Sequence, residues 1–126
     1  MTKKKPTEDP EREERIAMEI VVDAYGSEEC AMSWYYYLQD AINFPFAATC
    51  ITKRSTSPLK VKEAVEVVNL AKEAECEHEM FVLVRWEKRK LAVPLSQLLP
   101  SDDADERTKL AVGDWHYWVN MGYEFS

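Results

Sequence analysis

Four consecutive aromatic residues, Trp34 to Tyr37, precede a single acid, Asp40, and then a proline, Pro45, and this order requires a change of backbone conformation. Proline lacks an N–H donor and disfavours the α conformation in the residue before it, so a helix through the aromatic run must end ahead of Pro45. The residues after it, 46–51, are predicted to form a strand. Four consecutive rings place bulk on more than one helix face. Some of them must therefore pack against something other than the main core, or lie at a functional site.

Apolar residues recur at helical spacing on both sides of Gly26, which predicts two helices joined by a short turn. Gly26 ends the first helix, and Ser27 is the expected N-cap of the second. Two helices with so short a connection are typical of a helical hairpin. The predicted core faces are Ile16, Ala17, Ile20, Val21 and Ala24 on the first helix, and Ala31, Tyr35, Leu38 and Ile42 on the second.

The middle of the chain carries the pattern of strands rather than helices. The clearest strand is 80–86, and the turn 87–89 predicts that it forms a hairpin with 90–93. A further strand is expected at 65–68, which makes a small antiparallel sheet of about four strands. After Pro100 a last helix is expected, with Asp103 and Glu106 as a capping box, Leu110, Ala111, Trp115, Trp118 and Val119 as its apolar face, and Gly122 as its end.

These elements predict the α+β fold class: an N-terminal helical hairpin packed on a small antiparallel sheet, with a C-terminal helix. Short strands and tight connections would suit a partly open barrel of SH3-like type. With 126 residues, 46% of them hydrophobic, the chain has the size of one domain. Residues 1–10 are polar and contain Pro6 and Pro10, so we expect a disordered lead-in there and a single domain over 11–126.

The charge balance excludes several classes of partner. The chain has 23 acids against 16 bases and a formal net charge of -7, which makes nucleic acid a poor first choice. No apolar stretch approaches the ~18 to 20 residues of a membrane span. Three cysteines without short spacing, Cys30, Cys50 and Cys76, argue against a disulfide framework and favour the cytoplasm. We expect a monomer.

No catalytic arrangement is legible in the sequence. Three glycines in total leave no glycine-rich phosphate loop and no dinucleotide fingerprint. His78 and His116 lie far apart, and neither pairs recognisably with a cysteine. The sequence therefore predicts a protein that is not an enzyme.

Acids are the one potential ligand type in abundance, and carboxylate oxygens suit Ca²⁺, which takes about six to eight oxygen ligands in irregular geometry. No EF-hand loop is present, so any site must be assembled from separate elements. Asp40 is distinctive because an acid at a helix C-terminus opposes the helix dipole and lacks a local stabilising reason. The candidate ligands form one group across the interhelical turn, Asp23, Glu28 and Glu29, and a second group around the helix end, Asp40 and Asn43 with Glu75, Glu77 and Glu79 of the acidic loop.

Several motifs together resemble those of a known family. The motifs are Asp23-Ala-Tyr, Glu28-Glu29, Trp34-Tyr35-Tyr36-Tyr37-Leu38-Gln39-Asp40, Phe44-Pro45-Phe46, Pro58-Leu59-Lys60-Val61, Glu77-His78-Glu79-Met80-Phe81-Val82 and Leu91-Ala92-Val93-Pro94-Leu95. They resemble the small cyanobacterial-type calcium-binding proteins associated with heterocyst differentiation, over about 15–99. The resemblance implies a cytoplasmic protein that binds Ca²⁺ at two sites of unequal affinity without EF-hands, and it places weight on Asp40. Gln39 stands where an acid is expected in relatives.

Calcium binding as a buffer or sensor is therefore the leading hypothesis. The alternative is an SH3-like protein-interaction module without metal, in which exposed rings among 34–37, Trp115 and Trp118 engage a partner. A third possibility, nucleic-acid binding by the more basic sheet, conflicts with the overall acidity.

Overall fold

A computed structural model describes residues 7–125 of the chain. It contains three α-helices: α1 (Pro10–Arg15), α2 (Ser27–Ala41) and α3 (Glu106–Asn120). A π-helical turn, Ile16–Ile20, continues α1 toward α2. Most of the predicted disordered lead-in, residues 1–6, lies outside the described residues, and α1 begins at Pro10.

The first helix begins and ends for local reasons. The side chain of Asp9 accepts a hydrogen bond from the N–H of Arg12, and Pro10 occupies the first helical position, where its missing donor costs nothing. Gly26 adopts a φ of 113°, which a residue with a side chain rarely tolerates, and it is itself the N-cap of α2. The prediction that Ser27 is the N-cap was therefore wrong by one residue, because the positive φ of the turn requires the glycine at that position.

The sheet is open, antiparallel and five-stranded, with the strand order β4-β3-β2-β1-β5. The fifth strand was not predicted, because it is only three residues long and ends at a proline on the sheet edge. Two N-terminal helices, an antiparallel sheet and a C-terminal helix follow one another, which confirms the predicted α+β fold class. The strands are β1 (Phe46–Cys50), β2 (Ala64–Leu70), β3 (Phe81–Trp86), β4 (Arg89–Pro94) and β5 (Leu98–Pro100), with 3₁₀ turns at Glu73–Cys76 and Leu95–Gln97.

The core lies between the helices and one face of the sheet. Alternate residues of β3, Val82 and Val84, are fully buried, while their neighbours on the strand are partly or fully exposed. From the helical side Trp34 is fully buried and packs edge-on against Trp115 of α3, with 5.1 Å between ring centroids. The predicted core face of α2 is confirmed, since Ala31, Tyr35, Leu38 and Ile42 are all buried.

The start of α3 differs from the sequence prediction. Asp105, not Asp103, is its N-cap and accepts a hydrogen bond of 2.7 Å from the N–H of Thr108. The helix therefore begins two residues later than a capping box at Asp103 would place it. Its predicted apolar face includes one error, because Leu110 is exposed while Ala111 and Trp115 are buried. Gly122, with a φ of 79°, follows the helix as predicted.

A buried carboxylate joins α1 to α3. Asp114 is 0% exposed and accepts hydrogen bonds from Arg12 (2.7 Å), from Arg15 (2.9 and 2.7 Å) and from the hydroxyl of Tyr37 (2.9 Å). A buried charge is tolerated only when it is paired and hydrogen-bonded, and these three donors meet that requirement. Burial and the negative charge of Asp114 raise the pKa of Tyr37 well above its usual value, so its hydroxyl stays a donor.

The same contact accounts for a glycine inside α3. A Cβ atom at Gly113 would lie 2.9 Å from both terminal nitrogens of Arg12. A side chain at this position would therefore displace the guanidinium that holds Asp114. Within residues 7–125, none of the helices is long and apolar enough to cross a membrane.

Candidate functional site

The end of α2 and the start of α3 form the walls of one small cleft, which we call the α2–α3 cleft. Asp40 and Asn43 line it from the α2 side, and Asp105 and Arg107 line it from the α3 side, around a cavity of about 410 Å³. The sequence had placed Asp40 and Asn43 together. The contribution of α3 was not predicted from sequence, because Asp105 is 65 residues away from Asp40 along the chain.

Local hydrogen bonds bring these two helix ends together. The N–H of Asn43 donates to the side-chain hydroxyl oxygen of Thr108 (2.9 Å), and the N–H of Thr108 donates to Asp105. The backbone and side chain of Thr108 together lower the pKa of Asp105, so this carboxyl group is anionic over a wide pH range. Because α2 ends here, its last carbonyl groups lack helical partners and add acceptor oxygens to the same region.

Asp40 already has a cationic partner. The guanidinium of Arg107 donates a hydrogen bond of 2.7 Å to Oδ2 of Asp40, with side chains that are 64% and 79% exposed respectively. This ion pair stabilises the negative charge of Asp40, which is unfavourable at the C-terminal end of its own helix. A metal ion that takes up Asp40 must compete with this arginine.

A second cleft lies between the first half of α2 and the 3₁₀ turn of the acidic loop, and we call it the loop cleft. Three glutamates line its cavity of about 470 Å³: Glu28 of α2, and Glu73 and Glu77 of the loop. Tyr36 donates a hydrogen bond of 2.9 Å to Glu73, which raises the pKa of Tyr36. The one exposed ring of the aromatic run, Tyr36, thus points at an acid of this cleft.

The acidic loop does not line the α2–α3 cleft. It lies against Ser27, Ala31 and Met32 of α2 instead, so Glu28 and Glu77, assigned to different groups from sequence, line the same cavity. Glu73 was part of the predicted loop but not among the predicted ligands. Glu73 is distinguished by the hydrogen bond that it accepts from Tyr36, and sequence spacing does not reveal this contact.

The remaining predicted ligands have other positions. Asp23 is exposed in the turn between the helices, and Glu75 is exposed in the 3₁₀ turn. Glu29 accepts a hydrogen bond of 3.1 Å from the N–H of Tyr25. Glu79 is held by the guanidinium of Arg54 at 2.9 Å and lines a third cavity with the rings of α3 and the C-terminal segment.

The chemistry of these donors fits Ca²⁺ better than a softer metal. The α2–α3 cleft offers carboxylate, amide and backbone carbonyl oxygens, which are the ligands that Ca²⁺ accepts in variable geometry. Within residues 7–125, no three His, Cys, Asp or Glu side chains converge tightly enough to hold an ion in their present rotamers. For these carboxylates to converge on one ion, exposed side chains such as Asp40 would have to rotate, and their exposure permits this.

Comparison with solved structures gives two strong similarities. The crystal structure of Anabaena CcbP superposes with a TM-score of 0.84 and 38% sequence identity, covering 95% of this chain and 98% of that chain. A structure described as a calcium-binding protein in the calcium-binding form superposes with a TM-score of 0.83 and 38% identity, covering 93% of this chain and 95% of that chain. No curated protein matches the chain.

A family model described as calcium binding, Calci_bind_CcbP, matches residues 14–119. The match extends into α3, beyond the part of the chain over which the sequence motifs carried the resemblance. It confirms the family inferred from those motifs. The chain therefore belongs to the calcium-binding protein family that is named after CcbP.

Proposed function

We propose that this protein binds Ca²⁺ at two clefts of unequal affinity and catalyses no reaction. The observation that carries the proposal is the α2–α3 cleft, where Asp40, Asn43 and Asp105 line one cavity in a chain that belongs to a calcium-binding family. The ion would be held there by two carboxylates, one amide oxygen, carbonyl oxygens at the end of α2 and water.

The α2–α3 cleft is proposed as the tighter site because its donors are partly fixed before the ion arrives. Asp105 is oriented by the hydrogen bond that it accepts from the N–H of Thr108, and the N–H of Asn43 donates to the hydroxyl oxygen of the same threonine. Calcium affinity depends on the rigidity of a site as well as on its charge. A fixed aspartate loses less conformational freedom on binding than a mobile side chain does.

The loop cleft is proposed as the weaker site. It supplies three glutamates, Glu28, Glu73 and Glu77, and all three are exposed. Glutamate is longer than aspartate, and ordering such side chains around an ion costs more conformational entropy. Tyr36 holds one oxygen of Glu73 and would have to release it or share it.

We place the protein in the cytoplasm, as a monomer that acts as a calcium buffer or sensor. Cys50 and Cys76 are buried and are free thiols, and a reducing compartment keeps thiols in this reduced state. Its net charge of -7 favours a cation over a nucleic acid or an anionic membrane as its main partner.

Calorimetric titration with Ca²⁺ tests the proposal. The native chain should bind two ions, and Asp40→Asn or Asp105→Asn should each weaken the tighter site by at least about tenfold, because each removes a charged ligand. Asp102→Asn is the matched control, since it removes an exposed acid of the same segment that does not line the cleft. Unchanged affinity in the Asp40 and Asp105 variants, or a loss in the Asp102 control equal to theirs, would refute the site.

A metal-independent interaction module of SH3-like type remains the second candidate. The rings on which it depended are largely engaged in the core, since Trp34, Tyr35 and Trp115 are buried. Only Tyr36 of the aromatic run is exposed, and it is hydrogen-bonded to an acid. A saturable complex with a protein partner that is unaffected by chelator, together with no Ca²⁺ binding at millimolar metal, would favour this candidate.

A further inference from the structure

Strand β4 is a terminal strand of the sheet. The strand order places β3 on one side of it, and within residues 7–125 no strand pairs with its other side. An edge of this kind presents a row of backbone N–H and C=O groups, which is a template for one more strand. Proteins commonly use such an edge to bind extended peptides.

The residues around this edge are cationic. In the antiparallel register Lys90 of β4 lies opposite Arg85 of β3, and Arg89 lies opposite Trp86. Lys88 belongs to the tight turn that connects the two strands. We call this surface the basic edge, and it consists of four exposed residues, Arg85, Lys88, Arg89 and Lys90.

Most of this positive charge is not neutralised locally. Arg85 is paired with Glu66 at 2.8 Å, but among residues 7–125 no ion pair engages Lys88, Arg89 or Lys90. Glu87 is the one acid of the turn. The basic edge is a local positive surface on a chain with a net charge of -7. It differs from the acidic clefts in the sign of its charge and in its position.

We propose that the basic edge binds an extended acidic segment of a partner protein, which adds to β4 as a sixth strand. A peptide strand satisfies the donors and the acceptors of the open edge together, whereas a nucleic-acid backbone offers phosphate acceptors only. The net negative charge of the chain also repels a long polyanion more than a short acidic segment. Salt screening limits the electrostatic interactions of the short segment to the nearby charges of the basic edge.

The alternation of β4 defines the sequence that the segment should have. Lys90 and Ala92 are exposed on one face, and the residues on the other face, Leu91 and Val93, are half-buried and buried. A strand added beside β4 continues both faces of the sheet. Its acids should therefore alternate with apolar residues, the acids beside Lys90 and the apolar residues beside Leu91.

The test uses an end-blocked peptide of about six residues with alternating glutamate and valine, the typical length of a strand. Titration of the full chain, followed by backbone amide NMR, should move the resonances of β4 and the preceding turn, independently of Ca²⁺. Reversing the one charge on the face that would carry the acids, Lys90→Glu, should weaken binding by at least about tenfold. Lys53→Glu is the control, because it reverses an exposed charge outside the basic edge.

A second peptide keeps the charges but carries N-methyl groups on alternate backbone nitrogens, which remove strand donors. It should bind at least about tenfold more weakly than the parent to the native chain, so this arm does not depend on the folding of a variant. Equal binding of both peptides, tighter binding of a single-stranded DNA of matched charge, or no shift in β4 would overturn the proposal. If β4 showed no shift, the cations would instead be explained as charges that prevent edge-to-edge aggregation of the sheet.

Discussion

Arg107 in the first turn of α3 binds Asp40 in the last turn of α2 through a hydrogen bond of 2.7 Å. The pair joins two helix ends that are far apart in sequence, and it occupies the carboxylate on which the proposed tighter calcium site depends. In the proposed site, Arg107 and Ca²⁺ would therefore compete for Asp40.

Removing this arginine should tighten calcium binding. In Arg107→Gln the carboxylate of Asp40 is released, and calorimetry should show a gain in affinity of up to about fivefold at low salt, since an exposed ion pair is worth ~0.2 to 1 kcal/mol. Arg85→Gln removes an exposed, paired arginine from the far hairpin and should leave the affinity unchanged. A weaker site in Arg107→Gln would show that the arginine supports binding rather than competing with it.

The carboxylate of Asp114 should be a large contributor to stability. Asp114→Asn leaves the guanidinium groups of Arg12 and Arg15 without their shared anion and should lower the free energy of unfolding by about 3 kcal/mol. Urea unfolding followed by tryptophan fluorescence measures the change. Glu66→Gln breaks an exposed pair and should cost less than about 1 kcal/mol, and equal losses in the two variants would contradict the assignment.

His116 should make the protein less stable in mild acid. Burial lowers the pKa of His116 below its ordinary value of 6.5, so below that pH the unfolded chain binds a proton that the folded chain does not. Stability is then lost as the pH falls from about 6.5 toward the folded-state pKa, by up to ~1.4 kcal/mol per pH unit. Unfolding curves between pH 7 and 5 should show this slope in the native chain and in His78→Gln, and a shallower one in His116→Gln.

Gly113 and Arg12 should be strongly coupled. An alanine in a helix interior is worth about 1 kcal/mol over glycine, but at Gly113 its Cβ would displace the guanidinium of Arg12. Gly113→Ala should therefore be neutral or destabilising in the native chain and stabilising by about 1 kcal/mol in an Arg12→Ala background. A double-mutant cycle measures the coupling, and the same effect of Gly113→Ala in both backgrounds would rule it out.

Sequence reasoning succeeded where a rule acts over a few residues. The helix through the aromatic run was predicted to end ahead of Pro45, and α2 stops at Ala41. The spacing of Tyr35 and Leu38 identified the face of α2 that is buried. The alternating strand β3 was likewise predictable from its composition. These outcomes depend on backbone geometry and helical periodicity, which operate within one or two turns of the chain.

The capping of α3 shows the limit of the same rules. The segment before α3 contains three aspartates, Asp102, Asp103 and Asp105, and each is acceptable at an N-cap by residue type. Which of them caps the helix depends on where β5 leaves the sheet, and Asp105 was therefore not distinguishable from Asp103 by spacing. The residue chosen also determines which carboxylate faces Asp40.

The sequence by itself determined the three helices, four of the five strands and the family, because periodicity, proline positions and motifs are local properties. Only the tertiary structure decided that Asp105 joins Asp40 and Asn43, that Glu28 joins Glu73 and Glu77, and that Asp114 is buried between two arginines. Contacts between residues tens of positions apart follow from how the helices pack on the sheet, and that packing is a property of the whole core.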